Sequence, residues 1–232
     1  MPLAVLAACL LGLAAGAFAR VLADGFGEGS GAPRREARAA VARAARIPPL
    51  PRRPYVVEGV TAAVFGLLTW RAASLADPLD AGAIVPVALT AALLYAAVAG
   101  VTLGLIDWRT RRLPDAITLP SVPVLAVLLA PTGRLGAALL SGLALAAAYA
   151  VLWFVRPAAL GLGDVKLAAL VGMVTGVFGM NAVILAAVGA HVLGALYAAG
   201  LLITRRATRA SEFPFGPFML GAALLAVVLP VG

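Results

Sequence analysis

The chain has 232 residues, of which 63% are hydrophobic and only 12% are charged, and its mean hydropathy is +1.04. Soluble domains contain roughly 45–50% apolar and about 25% charged residues, so this composition excludes an ordinary soluble protein. The net charge of +8 would suggest nucleic-acid binding in a soluble protein, but here the basic residues flank apolar segments. We therefore expect an integral membrane protein with no nucleic-acid partner.

Apolar segments recur along the whole chain, and roughly 17 to 25 such residues suffice to cross a bilayer. They predict an all-α fold, a polytopic transmembrane helical bundle of about eight spans. The predicted spans are residues 2–21, 56–74, 83–106, 116–130, 135–155, 165–178, 181–204 and 216–231. The first could instead be a cleaved signal peptide, but no basic residue precedes its apolar run.

The 18 basic residues are distributed unevenly over the loops between these spans. Sixteen lie in the loops after the first, third, fifth and seventh spans or at the span ends that border those loops, and only Arg71 and Arg134 lie at the alternate loops. Cytoplasmic loops of membrane proteins carry the excess of lysine and arginine. The distribution therefore predicts that the four basic loops are cytoplasmic and that the N- and C-termini are extracytoplasmic.

The long loop at residues 23–54 differs in composition from the rest of the chain. It runs from the glycine-rich DGFGEGSGAP through the basic RREARAAVARAAR to the proline-rich IPPLPRRP. We expect a flexible joint, a short basic helix lying on anionic membrane lipid, and a stiff lead-in to the second span. Residues 1–82 are predicted to form an N-terminal part with this loop, and residues 83–232 a core of six spans.

Two aspartates lie at the edges of apolar segments. A carboxylate at this depth is costly unless it is paired or hydrated, and its presence otherwise indicates a functional role. Asp107 ends the third span in GLIDWRTRRLPD, and Asp164 precedes the sixth in GLGDVKL. Because two full spans lie between them, both return to the same membrane face at similar depth. Two facing carboxylates can share one proton, so that one activates water while the other donates to a carbonyl oxygen, as in aspartic proteases.

Each aspartate also has a purely structural interpretation. Asp164 could cap the following helix after a plain glycine turn. Asp107 could pair with Arg109 or Arg111 at the membrane surface. Neither aspartate, considered alone, can be assigned a structural or a catalytic role from the sequence.

Three further residues of GLGDVKL are candidates for substrate binding. Gly161 and Gly163 have no side chain to block a substrate backbone and permit turn conformations closed to other residues. Lys166, the only lysine, could bias which carboxylate holds the proton, or it could extend its ammonium to the cytoplasmic surface.

The segment FPFGPFMLG precedes the last span, and its Pro214, Gly216 and Pro217 are also candidates for substrate binding. In the simplest interpretation they interrupt regular structure and start the last helix. In the more specific interpretation the bent segment lines a substrate cleft.

Three other polar residues receive structural interpretations. Asp115 is expected to be the N-cap of the fourth span rather than a catalytic group. Glu58 is expected to pair with Arg52 or Arg53. His191, the only histidine, lies deep in the seventh span, where a neutral ring bonded to a neighbouring helix is expected rather than a metal ligand.

The stretches LIDWRTRRLPD, GLGDVKL and FPFGPFMLG, in this order, closely resemble the membrane-embedded prepilin peptidases of type IV pilus and type II secretion systems. They lie between about residue 84 and the end, and RRPYVVEGVTAAVFGLL upstream looks like the segment leading into the family's second span. The resemblance implies an aspartic endopeptidase of the GxGD class in the bacterial plasma membrane. Its substrates would be prepilins and pseudopilins, whose short basic leader is cut after a glycine on the cytoplasmic side.

The resemblance also assigns residues. It implies that Asp107 and Asp164 are the catalytic aspartates and that Gly161 and Gly163 are the glycines of the second motif. It implies neither a cofactor nor a metal ion for the peptidase reaction. The alternatives are a GxGD protease with another membrane substrate and, from a different class, a proton- or cation-coupled transporter.

The chain departs from the family in its first cytoplasmic loop. Many members also N-methylate the newly exposed residue with S-adenosylmethionine, using a domain there that often carries two zinc-binding CxxC pairs. In this chain residues 23–54 contain no cysteine, and the single Cys9 lies in the first span. Zinc is therefore excluded at that loop, and we expect a peptidase whose methyltransferase activity is reduced or absent.

Overall fold

The computed structural model describes residues 1–27, 33–46, 50–51, 53–75, 84–157, 160–206 and 213–229. These residues form nine α-helices and one short 3-10 turn, without any strand. The helices are α1 (Pro2–Ala23), α2 (Pro33–Arg46), α3 (Val56–Ser74), α4 (Ile84–Thr110), α5 (Asp115–Leu129), α6 (Leu135–Val155), α7 (Leu162–Gly176), α8 (Met180–Ile203) and α9 (Gly216–Val228). The predicted all-helical fold is confirmed.

Each predicted span coincides with one of these helices, but two of the helices are short. Six helices in the described part are long and apolar enough to cross a membrane, namely α1, α3, α4, α5 with its following turn, α6 and α8. Helices α7 and α9 have 15 and 13 residues. At 1.5 Å per residue they are about 22 and 20 Å long, against a hydrocarbon core about 30 Å thick. Six of the eight predicted spans are thus long enough for a full crossing in the described part of the chain, and the other two, α7 and α9, are shorter than the hydrocarbon core.

Helices α6 and α7 pack against each other in antiparallel fashion through small residues. A Cβ atom on Gly172 would lie 2.5 Å from the carbonyl oxygen of Ser141, and one on Gly176 would lie 2.6 Å from its hydroxyl oxygen. On α6, a Cβ on Gly142 would lie 2.9 Å from the carbonyl oxygen of Ala169. Lipid tails are as apolar as leucine, so helix association in a membrane depends on such close van der Waals contact.

Helix α1 packs on α3 in the same way, and a buried ion pair lies beside this contact. Gly12 meets the backbone of α3 at Ala62, and Gly16 meets it at Glu58. The guanidinium of Arg20 donates to the Glu58 carboxylate at 2.6 Å and to the carbonyl of Pro54 at 2.9 Å. A carboxylate that is 1% exposed requires such a partner in an apolar environment.

The sequence did not predict Arg20 as a partner of Glu58. Arg52 lies outside the described residues, so its expected pairing with Glu58 stays a prediction, whereas the guanidinium of Arg20 reaches Glu58 from a different helix. The expectation considered only arginines near Glu58 in sequence, whereas this pair is formed across the α1–α3 contact.

The bundle carries charged residues at its two ends. The basic end, as we call it, contains Arg20, Arg109 and Lys166 and comprises the C-termini of α1 and α4 and the N-termini of α5 and α7. At the opposite end Arg71 donates to the carbonyl of Val227 and Arg134 to that of Val177, each at 2.9 Å. Arginines at that end thus satisfy carbonyls at the C-termini of α9 and α7. The orientation of this bundle in the membrane stays a prediction.

The basic segment of the long loop forms helix α2, as expected. Ala37, Ala40 and Ala44 are buried on one face, and the side chains of Arg35 and Arg38 are exposed. Half of the glycine-rich joint and half of the proline-rich lead-in lie outside the described residues. Contact with anionic lipid, and the division of the chain at residue 82, stay predictions.

The close packing of α6 on α7 predicts that adding one methyl group there destabilises the protein. Gly142→Ala would force Cβ against the α7 backbone, and such overpacking costs about 1–3 kcal/mol. We expect a lower unfolding temperature for this variant in detergent micelles, measured by circular dichroism.

Gly136→Ala is the matched control on the same helix. A Cβ there would meet no atom within 4 Å, so the replacement should be neutral or stabilise by up to about 1 kcal/mol through helix propensity. Equal stability of the two variants would contradict the close approach of α6 and α7.

Candidate active site

Asp107 lies near the C-terminus of α4 and is only 4% exposed. Its Oδ2 accepts a hydrogen bond from the backbone N–H of Gly216, the first residue of α9, at 2.9 Å. A Cβ on Gly216 would lie 2.8 Å from this oxygen, so only glycine lets the α9 backbone come so close. Arg109 pairs with Asp24 of the α1 terminus, so the expected alternative of an Asp107–Arg109 pair was wrong.

Asp164 lies in the first turn of α7 and is 9% exposed. Its Oδ2 accepts a hydrogen bond from the N–H of Gly161 at 2.9 Å, and Gly161 is the residue that precedes the helix. Asp164 is thus the third helical residue, whose carboxylate reaches back to the helix start, and it is not the N-cap itself. A negative charge at this position is also favoured by the helix dipole.

The fold brings the elements that carry the two carboxylates together. Gly216 lies between α4 and α7, since its added Cβ would contact both Asp107 and, at 3.4 Å, the side chain of Leu167. Leu167 is one turn after Asp164 on α7. The Asp164 carboxylate is close enough to act electrostatically on that of Asp107. The sequence-based expectation that both aspartates reach the same end of the bundle agrees with this geometry.

Each carboxylate retains capacity for further hydrogen bonds. Apart from the single N–H described above, neither receives another hydrogen bond from the described residues. An ionised carboxylate can accept about four hydrogen bonds, so the remaining positions are available to water or to a substrate. Within the described residues no three His, Cys, Asp or Glu side chains are grouped so that they could hold a metal ion.

The two glycines of the GLGD motif play different local roles. Neither adopts a positive φ, so the expectation that they supply turn conformations closed to other residues was wrong. Gly161 donates the N–H that holds Asp164 and is exposed. A Cβ on Gly163 would lie 2.9 Å from the Cβ of Leu113, so this glycine allows α7 to pack on the segment after α4.

Lys166 and Asp115 form an ion pair with each other. Asp115 is the first residue of α5, and Pro114 precedes the helix as its N-cap, so the expectation that Asp115 is the N-cap was one residue off. The ammonium of Lys166 is thus held by an acid outside the proposed pair of aspartates. The side chain of Asp115 is largely exposed, which limits the strength of this pair.

The segment before α9 contributes a backbone group and not a charged side chain. Pro214 belongs to no helix or strand, α9 starts at Gly216, and Pro217 occupies the first turn, where its missing N–H has no cost. The expectation that regular structure is interrupted here and resumes with the last helix therefore agrees with the structure. The start of α9 at Gly216 places the N–H of this residue at Asp107. Contact of these residues with a substrate stays a prediction.

A largely apolar cavity of about 440 Å³ adjoins this segment. It lies between α3, α4, α5, α7 and α9, and its lining includes Gly104 of α4, Leu167 of α7 and Pro217 of α9. It thus reaches the elements that carry Asp107 and Asp164. Apolar walls next to a few polar groups are typical of ligand-binding cavities.

Sequence reasoning missed an aromatic cluster beside the carboxylates. The ring of Tyr149 on α6 lies 5.6 Å from that of His191 and 6.3 Å from that of Phe215, measured between centroids. Nδ1 of His191 donates to the carbonyl of Ala187 on its own helix, so the expected bond to a neighbouring helix was wrong. Tyr149 follows Gly142 by seven residues, and this spacing was the available signal that its side chain faces α7.

These features define a class of protein, a multi-pass helical membrane protein with two buried carboxylates on neighbouring elements at one end of its bundle. Residues 93–199 match the model of the type IV leader peptidase family, and this segment contains Asp107, Asp164 and two of the three motifs. The match confirms the resemblance to the type IV prepilin peptidases and supports peptidase activity. No characterised protein and no solved structure gives a match.

The contact of Gly216 with Asp107 predicts that Gly216→Ala impairs peptidase activity. The added methyl would have to displace the carboxylate, and a displacement of about 1 Å in an active site costs on the order of 100-fold in rate. The rate is to be measured with the variant inserted in membranes and corrected for its amount.

Gly221→Ala, on the same helix, is the matched control. Its Cβ would make an ordinary contact of 3.8 Å with Leu193, so the rate at saturating substrate should equal that of the unaltered protein. Gly221 also lines the apolar cavity, which is why the comparison is made at saturation. Full activity of Gly216→Ala would contradict the role of this close approach.

Proposed function

We propose that this protein is a membrane-embedded aspartic endopeptidase that removes the leader peptide of type IV prepilin-like or pseudopilin precursors. The observation that carries the proposal is the pair of buried carboxylates, Asp107 and Asp164. The first is held by the N–H of Gly216 on α9 and the second by that of Gly161, which precedes its own helix. Both lie in the segment that matches the leader peptidase family. Burial of two acids at adjacent positions in an apolar bundle is costly and favours a chemical role.

In the proposed reaction the two carboxyl groups share one proton. The ionised group takes a proton from a water molecule as the water oxygen attacks the scissile carbonyl carbon, and the protonated group donates its proton to the carbonyl oxygen. The resulting tetrahedral intermediate then collapses. The C–N bond breaks, the amine nitrogen receives a proton from one carboxyl, and a hydroxyl of the intermediate returns its proton to the other. One water is consumed, and both groups regain their starting states.

The surroundings of the carboxylates support a substrate that enters from the membrane. The precursors of this family carry an apolar helix directly after the cleaved bond. The cavity beside Leu167 and Pro217 offers apolar walls for side chains of such a segment. Gly161, Gly163, Pro214 and Gly216 are proposed to flank the bound backbone, because small or cyclic residues at these positions leave it room.

We further propose that the basic end of the bundle faces the cytoplasm of a bacterial cell. The excess of arginine at this end supports that orientation under the positive-inside rule. Cleavage would then occur where the leader of the precursor emerges from the plasma membrane. Anionic lipid headgroups around helix α2 are the proposed counter-ions for its exposed arginines.

Asp107→Asn and Asp164→Asn are each expected to reduce precursor cleavage by about 10²–10⁴-fold, the usual contribution of a general acid or base. Asparagine retains an oxygen that can accept the glycine N–H, so both folding contacts survive while the ability to exchange a proton is lost. Cleavage is measured by co-expression with a pilin-like precursor, as the shift of the shortened product on a gel.

Asp24→Asn and Asp115→Asn serve as controls. These acids lie at the same end of the bundle but pair with Arg109 and Lys166. They should leave cleavage nearly unchanged. If both Asp107→Asn and Asp164→Asn continue to shorten the precursor, the two-carboxylate mechanism is wrong. If the unaltered protein cuts no precursor, the transporter alternative gains support.

Lys166→Gln is expected to leave the pH dependence of cleavage unchanged. The ammonium of Lys166 pairs with Asp115 and not with the proposed pair of carboxylates. Its charge should therefore have little effect on which of the two carboxyl groups holds the shared proton. The measurement is the rate of cleavage between pH 5 and pH 9 in detergent solution. A displaced pH profile would restore the electrostatic role first considered for this lysine.

A further inference from the structure

The hydroxyl of Tyr149 is buried without a hydrogen-bond partner in the described part of the chain. The residue is 2% exposed, and its Oη is one of three such buried side-chain atoms there. Buried tyrosine hydroxyls normally find a partner, and an unsatisfied one costs about 1–3 kcal/mol. A phenylalanine would fill the same space without that cost. The hydroxyl is therefore positioned for a partner that is not part of the described chain.

The register of α6 against α7 places this side chain beside Asp164. An added Cβ on Gly172 would lie 2.8 Å from the Cα of Gly142, which fixes these two residues opposite each other. Seven residues, or about two turns, lead from Gly142 to Tyr149 on the same face of α6. The same distance back along the antiparallel α7 leads from Gly172 to Val165. Asp164 is the next residue, and its carboxylate acts electrostatically on the Tyr149 hydroxyl.

The tyrosine ring is held from the side of Asp107 as well. Its packing partner Phe215 directly precedes Gly216, whose N–H binds the Asp107 carboxylate. The imidazole of His191 packs on both rings. The ring of Tyr149 thus packs against the segment before α9, and the register of α6 on α7 places it near the start of α7. These are the two segments whose backbone N–H groups hold the carboxylates.

We propose that the Tyr149 hydroxyl is an additional group of this site and donates a hydrogen bond to the carbonyl oxygen of the bond being cleaved. The proposal rests on the proposed function. The carbonyl oxygen gains negative charge as water adds to the carbon, and a preorganised O–H donor in a water-poor site stabilises that charge. The tyrosine retains its proton throughout, and no bond to it forms or breaks. Proton transfer remains with Asp107 and Asp164.

Tyr149→Phe tests this role, because the ring and its packing are kept. The expected result is a fall in kcat of about 10²–10³-fold, the usual effect of removing one donor to such an oxygen. KM should be unchanged, since the hydrogen bond strengthens only as charge develops. The thermal unfolding temperature in detergent should be equal or higher, because no hydrogen bond within the described chain is lost.

Tyr95→Phe is the matched control, because its hydroxyl has a protein partner. Tyr95 Oη and Ser121 Oγ lie 2.9 Å apart in a hydrogen bond between α4 and α5. The replacement should lower the unfolding temperature and leave kcat unchanged. Because Tyr95 also lines the apolar cavity, any effect on substrate binding is expected in KM alone. The two variants are therefore expected to show opposite patterns of stability and turnover.

The outcomes separate this inference from the proposed function. If Tyr149→Phe retains full kcat while Asp107→Asn is inactive, the role of the hydroxyl is wrong and the aspartic mechanism stands. A parallel loss of unfolding temperature and kcat in Tyr149→Phe would assign the hydroxyl a structural role and also overturn the inference. If both asparagine variants cleave normally, the proposed function fails first.

Discussion

The cost of burying carboxylates in an apolar bundle governs the arrangement at the basic end. An ionised group away from water must be paired, bonded to a donor or neutralised. Glu58 meets this requirement with a guanidinium from another helix. Asp107 and Asp164 instead rely on backbone N–H groups, which carry no full charge and leave part of each carboxylate available. Glu58 is therefore neutralised by an ion pair, whereas only part of the hydrogen-bonding capacity of Asp107 and Asp164 is used.

Glycine makes the second solution possible. The N–H of Gly216 can approach Asp107 because no Cβ intervenes, and Gly163 lets α7 approach the segment after α4. The glycines of α6 and α7 have a related role further into the bundle, where they let two helix backbones touch. In each case glycine is required because two backbones, or a backbone and a side chain, come very close together. It is not required for an unusual conformation, since none of these glycines has a positive φ. The position of α7, and with it that of Asp164, depends on these contacts.

Much of the architecture follows from the sequence alone. Long apolar runs place the helices, and the number of crossings between Asp107 and Asp164 brings both to one end. The partners of individual polar groups are harder to predict, as Glu58 with Arg20 and Lys166 with Asp115 illustrate. Helices that are apolar on all sides carry almost no periodic signal for their rotation about the axis. The Gly216 N–H at Asp107 and the position of Tyr149 depend on that rotation, and both required the structure.

The shortness of α7 and α9 has a consequence for the surrounding lipid. Their C-termini are covered by the guanidinium groups of Arg134 and Arg71. If both helices start at the opposite membrane surface, their length of about 20–22 Å places these polar atoms inside a hydrocarbon core about 30 Å thick. Acyl chains respond to such hydrophobic mismatch by local thinning or by admitting headgroups and water. In the proposed orientation we therefore expect a depression in the leaflet opposite the basic end. The two aspartates would then lie in a membrane thinner than its average, across which an extended peptide needs fewer residues to reach water on both sides.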